Sequence, residues 1–253
     1  MWLARLIAAP LFVGLFLASP GFAQVSNDPA AGITYLAEVY RPFIYMDKGR
    51  PVGLAVDLLK LLWQEMNVPE QPIEVMPWPR IYESGQWNRH VAIFSVYRTK
   101  EREKLFKWVG PIAKGRQGLF CLCSRGLEMR SPGDMTGLGI ASLRDTASTS
   151  KVLQAGIIPT YAANAEHAVQ LLRSGRVDAI ALDETRFRRT IAAMGFSAKD
   201  FETALILSED PLYYAFSPDA EDTLIDRFQR ALDAVTKRPV YRALLTFYAD
   251  QGL

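Results

Sequence analysis

The feature that most constrains this chain is an order of elements that occurs twice. An extended apolar run, "ITYLAEV" (Ile33–Val39), is followed by the turn signal "DKGRPVG". Leu54, Leu58, Leu61, Leu62 and Met66 then recur at i, i+4, i+7, i+8 and i+12, which sets them on one face of a helix. The short strand "IEVMP", a helix over Pro79–Trp87 and the strand "HVAIFSV" (His90–Val96) complete a strand–helix–strand–helix–strand unit, the pattern of parallel strands covered by helices. After "MRSPGDMTG" the rhythm returns. It runs through strand "LGIAS", a helix from Thr146, an extended piece near Ile157, a helix over Ala165–Ser174 and strand "VDAIAL". Asn164 is placed to cap the start of that last helix and Gly175 its end.

The fold class is therefore α/β, in two lobes. Two apolar runs, "GLFCLCS" and "PLYYAFS" (Pro211–Ser217), stand where the chain leaves and re-enters the first unit, so it is expected to cross between lobes twice. Ser217 and Pro218 suit an N-cap and a first helical position, and Leu224, Phe228, Ala231, Leu232 and Val235 form an apolar stripe beyond them. Those terminal helices are assigned back to the first lobe. The expected boundaries are residues 32–116 and 214–253 for lobe one, 124–208 for lobe two, and 117–123 and 209–213 for the crossings.

Residues 1–23 read as a cleavable signal peptide. Arg5 precedes the apolar run Leu11–Ala18, and Gly21 and Ala23 stand three and one residues before a cut at Gln24. A spanning anchor needs about 20 apolar residues, and Pro10, Ser19 and Pro20 interrupt this run. Export to the periplasm is the expectation. The formal charge is +2, and loss of the leader with Arg5 leaves +1, which offers no broad attraction for nucleic acid. Cys121 and Cys123 are the only cysteines. Two apart on a strand, their Cα atoms would lie near 7 Å, at the limit of disulfide reach, so both are read as small buried hydrophobes. His90 and His167 are too distant from them to complete a zinc set, and no metal or cofactor is expected.

Five stretches, "YRPFIYMDKGRPVGLAVDLL", "PWPRIYESGQW", "FSVYRTKERE", "FKWVGPI" and "SGRVDAIALDE", resemble the extracellular solute-binding proteins of the amino-acid ABC importer type (family 3) in type and order, from about Ile33 to Tyr248. The resemblance implies a type II periplasmic-binding-protein-like fold: two α/β lobes, a two-strand hinge and a ligand cleft between them. It implies a monomer that captures a small polar solute, an amino acid or related carboxylate, and presents it to an inner-membrane ABC permease or a sensor.

The same resemblance implies site residues. Arg102 ends the Thr-x-x-Arg motif begun by Thr99 and matches the carboxylate clamp. A planar guanidinium suits that task because it donates two parallel hydrogen bonds. Asp183, at the carboxyl end of a lobe-two strand, matches the partner of the ligand ammonium. Thr146 matches a carboxylate anchor at a helix start, where unpaired N–H groups favour an anion. Tyr40 matches a stacking aromatic, and Trp78, Ser95 and Tyr97 complete the expected lining. The chain departs from the family at two places. Asp145 stands before Thr146 where relatives often carry Gly, and Tyr97 stands where a small Ser or Thr is usual. These departures put a standard α-amino acid in question. Related dehydratases raise an enzymatic alternative with Glu184 or Asp183 as general acid; no nucleophile motif, metal cluster or phosphate loop accompanies it, and the expectation is a binding protein.

Overall fold

A computed structural model describes residues 28–249, and the leader expected over 1–23 lies outside the described residues. Eight strands form one continuous sheet with the order β4-β1-β5-β10-β6-β9-β7-β8. In the first lobe β1 (Thr34–Ala37) lies between β4 (Ile73–Val75) and β5 (Val91–Tyr97), parallel to both. A two-stranded hairpin, β2 (Tyr45–Asp47) and β3 (Arg50–Val52), and helix α1 (Leu54–Glu65) lead to β4. Helix α2 (Trp78–Trp87) returns the chain to β5 on the far side of β1. Because the chain turns one way and then the other from β1, the carboxyl ends of β1 and β5 border a topological switch point, where such sheets leave a crevice.

The second lobe repeats this plan. Strand β7 (Ile140–Leu143) lies between β8 (Thr160–Ala162) and β9 (Ala179–Asp183), parallel to both, with α3 (Ala147–Gln154) and α4 (Ala165–Arg173) as the connections. Its switch point lies between the carboxyl ends of β7 and β9. Helix α5 (Glu184–Ala193) follows β9 directly.

Each half of the sheet buries both faces. Leu54, Leu58 and Leu62 of α1 are essentially inaccessible and pack with Phe228 and Leu232 of α6 (Asp222–Val235) on one face of lobe one. On the other face Ile81 of α2 packs with Leu36, Ile93 and Phe106. In lobe two α4 and α5 cover one face through Val169, Leu172, Phe187 and Ile191, and Val152 of α3 covers the other. Full burial of one such leucine contributes about 1.5–3 kcal/mol. The terminal helices α6 and α7 (Pro239–Ala249) sit on lobe one.

Strands β6 (Lys107–Leu122) and β10 (Phe201–Phe216) join the halves, each 16 residues long. At about 3.3 Å per residue each spans roughly 50 Å, enough to run through both lobes. They pair antiparallel along their whole length. At one end β10 also pairs with β5 through Leu212–Phe216, and at the other β6 also pairs with β9 through Gln117–Phe120. Between these ends Lys114–Arg116 and Glu209–Pro211 have only each other as partners.

Local expectations differ from the fold in three places. The extended piece expected near Ile157 is β8, three residues later, since 155–157 still close the turn that ends α3. Ser217 does not cap α6. It is fully buried, and its hydroxyl accepts from Val91 N–H at 3.2 Å, so tertiary pairing with β5 takes the group and the helix starts after Glu221. Cys121 is buried as expected, whereas Cys123 is exposed, because β6 ends at Leu122 and the chain turns outward there; both thiols are free. Among the described residues no helix is long and apolar enough to cross a membrane, and no group of His, Cys, Asp and Glu is placed to hold a metal ion.

Candidate functional site

The two switch points face each other, and a cavity of about 70 Å³ lies between them, beside a larger one of about 240 Å³ that shares Arg102 and Thr146 and is also lined by Glu101, Arg144 and Asp145. Tyr40, Trp78, Ser95, Tyr97 and Arg102 from lobe one and Thr146 and Asp183 from lobe two all line the smaller cavity, so the seven residues expected at the ligand come together in space. Glu38, Arg186, Gln117 and Ser148 supply further polar groups, and Ile44, Ile81, Phe94, Leu143 and Leu182 supply apolar wall.

Arg102 is positioned by the turn after β5, closed by hydrogen bonds from Arg102 N–H to Thr99 C=O (3.1 Å) and from Leu105 N–H to Arg102 C=O (2.9 Å). The turn directs its side chain inward while Arg98, four residues back, stays half-exposed and pairs with Glu103. Arg102 is only 4% exposed. Its guanidinium lies 5.0 Å from the ring of Trp78 and 5.1 Å from that of Tyr82, beside the two rings, which stack on each other. It donates to the carbonyls of Tyr97 (3.0 Å) and Asp145. Among the described residues no carboxylate lies within ion-pair distance of it. Burial works against its charge and lowers its pKa from that of a free arginine, partly countered by the Tyr82 hydroxyl and, at longer range, by the Asp145 and Glu101 carboxylates.

The Asp183 end is the reverse. Its Oδ1 accepts from Arg186 N–H (2.9 Å), capping α5, and its Oδ2 accepts a short hydrogen bond from the Tyr97 hydroxyl. The same hydroxyl lies 3.2 Å from that of Tyr40. Burial first, and the Asp183 charge second, push the Tyr97 phenol far above the ordinary tyrosine range, so it stays a proton donor. Beside them Arg186 holds Glu38 through two hydrogen bonds (3.3 and 2.6 Å). Burial disfavours the Arg186 charge, but Glu38, with Tyr40 and Asp183, together more than offset this and its pKa stands above the usual value.

Lobe two also presents the first turn of α3. Thr146 caps it by accepting from Thr149 N–H, and Ala147 and Ser148 reach the cavity with N–H groups that lack acceptors within the helix. Asp145, the departure before this cap, has φ 55°, the left-handed region that glycine favours and aspartate tolerates. Its carbonyl accepts from Arg102 and from Trp78 Nε1 (3.0 Å), and its carboxylate acts on Arg102 at longer range. Trp78 is thus a lid on the guanidinium rather than a simple wall.

Two features were not foreseen. Gln117 of β6 is 1% exposed; its Oε1 accepts from the Ser148 hydroxyl, and its Nε2 has no partner. Ser95 was expected at the site, but not as the extra residue of a β-bulge: the β10 register jumps from Tyr213↔Val96 to Tyr214↔Phe94, Ser95 takes φ 61°, and its buried Oγ has no partner. Glu184, weighed as a general acid, is committed to Arg188 and Arg116 and does not line the cavity.

The profile of the bacterial extracellular solute-binding proteins, family 3, matches residues 33–251, most of the chain. The protein belongs to that family. No protein in the curated comparison matches. Among solved structures, a histidine kinase sensor domain with similarity to periplasmic binding proteins superposes with TM-score 0.74 at 16% identity, covering 87% of this chain and 97% of that one. The arginine-, lysine-, histidine-binding protein ArtJ from Geobacillus stearothermophilus gives 0.70 at 19%, covering 85% and 94%. The GluR0 ligand-binding core from Nostoc punctiforme, solved with L-glutamate, gives 0.69 at 17%, covering 85% and 98%. At these identities the likeness establishes the family's two-lobed type II fold. The family and these structures are of binding and sensing proteins rather than enzymes, and the family name describes exported proteins.

Proposed function

We propose that this family-3 protein captures a small carboxylate-bearing solute in the periplasm, between two lobes that close on it. Arg102 clamps the carboxylate, the first turn of α3 from Thr146 supplies further donors, and Tyr40 and Trp78 enclose the solute. The observation that carries this reading is a guanidinium 4% exposed, set against two rings and two backbone carbonyls, with no ion-pair partner among the described residues. A buried charge without a counter-charge is costly, and an anionic solute removes that cost on closure.

The lobes hinge, in this reading, where β6 and β10 pair only with each other, at Lys114–Arg116 and Glu209–Pro211. The first crossing then precedes the apolar run 117–123, whose start belongs to the lobe-two sheet. Closure of this kind is the expected signal to an inner-membrane ABC permease. A sensor partner is the second reading, favoured by the 0.74 superposition on a sensor domain. Permease and ATPase genes beside this one would support import, and their absence would support sensing.

The test is a thermal-shift screen of carboxylic acids and amino acids, followed by calorimetry, since a solute that binds only the native state raises apparent stability. A carboxylate that stabilises the wild type and fails to bind Arg102→Ala is the expected result. If no carboxylate binds, or if the variant binds equally well, the proposal is wrong.

A further inference from the structure

We infer that the solute this cleft selects is a carboxylate without an α-ammonium group, an organic acid rather than an amino acid. The inference rests on the carboxylate role of Arg102 and adds what the opposite end of the cavity accepts.

A ligand ammonium carries three donors and no acceptor, so it needs acceptors in the wall, foremost a free carboxylate. The cavity has two carboxylates, and every oxygen of both already accepts a hydrogen bond from the protein, which leaves each with reduced acceptor capacity. Asp183 receives Arg186 N–H on one oxygen and the Tyr97 hydroxyl on the other, and both oxygens of Glu38 are held by the Arg186 guanidinium. The group on Asp183 Oδ2 is the protein's own phenol, which competes with an ammonium for that oxygen.

That phenol is seated by the backbone as well as by hydrogen bonds. Gly115, in the crossing stretch of β6, lies against it: a Cβ there would run into the Tyr97 hydroxyl and come within 2.8 Å of Cζ. Glycine at 115 leaves the space that Tyr97 fills. Tyr97 is 8% exposed, and its hydroxyl also meets that of Tyr40. The polar capacity left over in the cavity is of the opposite kind. Gln117 and Ser95 line it and carry an unpartnered amide nitrogen, a donor only, and an unpartnered hydroxyl, which can donate or accept, and of the five donors of Arg102 two meet backbone carbonyls. A wall with spare donors and committed carboxylates suits a solute that brings oxygens.

The experiment uses matched pairs of solutes that differ only in the α-ammonium: L-alanine and propanoate, L-leucine and 4-methylpentanoate, L-phenylalanine and 3-phenylpropanoate, L-glutamate and glutarate. Each is titrated by calorimetry into the wild type, Tyr97→Ser and Tyr97→Phe. For the pair whose side chain fits, the wild type is expected to bind the deaminated acid at least tenfold more tightly, and Tyr97→Ser to narrow or reverse that ratio. Tyr97→Phe keeps the ring and frees Asp183 Oδ2, so it should shift the ratio in the same direction even if the serine variant folds poorly. An amino acid that binds the wild type as tightly as its deaminated partner, with binding still lost in Arg102→Ala, overturns this inference and leaves the carboxylate reading intact. Unchanged ratios in both Tyr97 variants also overturn it. No binding of either member of any pair overturns the carboxylate reading and this inference with it.

Discussion

The two ends of the cavity carry opposite charges and opposite bookkeeping. At one end Arg102 is buried with no ion-pair partner among the described residues, held by ring faces and two carbonyls, with Asp145 and Glu101 acting on it only at longer range. At the other, Asp183 is equally buried and each of its oxygens already accepts a hydrogen bond from the protein. A charge that is buried and satisfied belongs to the fold, whereas one that is buried and unmatched belongs to a ligand. In the proposed reading, the contrast gives recognition to Arg102 and closure of the far end to the Tyr97–Asp183 pair.

Removing the unmatched charge should have the largest effect. Truncating one member of a buried, hydrogen-bonded charge pair costs about 2–5 kcal/mol in binding. Arg102→Ala should therefore weaken carboxylate binding by about 30-fold to several thousandfold in calorimetry. Arg102→Lys should recover only part of it, since an ammonium cannot reproduce the two-pronged contact or the stacking on Trp78.

The satisfied end is probed through its seat. Gly115→Ala forces Tyr97 from its place and should destabilise the protein by about 1–3 kcal/mol in thermal or urea unfolding. Added to Tyr97→Ser, the same substitution should cost clearly less, because the clashing ring is gone. Equal costs in both backgrounds would mean that the glycine serves some other purpose.

The pH profile separates the ends further. Arg102 stays charged across the working range, and the Tyr97 phenol, raised by burial and by Asp183, stays protonated. A bound carboxylate paired with Arg102 has its pKa lowered relative to the free solute. Binding is then fully present above the free solute's pKa and is lost as pH falls through the bound value. The expected profile has this acidic limb alone and is flat on the alkaline side. An alkaline limb set by the solute would report an ammonium at the Asp183 end. The smallest effect is expected from Glu38→Gln. The Glu38–Arg186 bridge is about a quarter exposed on each side, and its loss should shift stability by about 1 kcal/mol or less, less still in high salt.

What was legible in the sequence follows from how locally each feature is determined. The α1 stripe and the Asn164 cap depend on residues a few positions apart, and the structure has both. Arg102 and Thr146 were traceable because a turn and a cap position them within three residues of a motif. Gln117 was hidden in a long strand: its polarity reads as exposure until the alignment of β6 with β9 buries it. The bulge at Ser95 arises from the β10 register, more than a hundred residues away. Tyr97 was visible as a departure, but its meaning needed Asp183, 86 positions later. Ser217 looked like a helix cap because a buried backbone N–H that claims its hydroxyl leaves no trace in the local pattern.

The central claim is that a solute's negative charge is what Arg102 lacks. Its most direct test is a calorimetric titration of the wild type with the tightest carboxylate from the screen, set against the carboxamide of the same molecule. The account predicts that the carboxylate binds and the amide, equal in shape but neutral, binds at least about 100-fold more weakly or not detectably. Equal affinity for the two would contradict it.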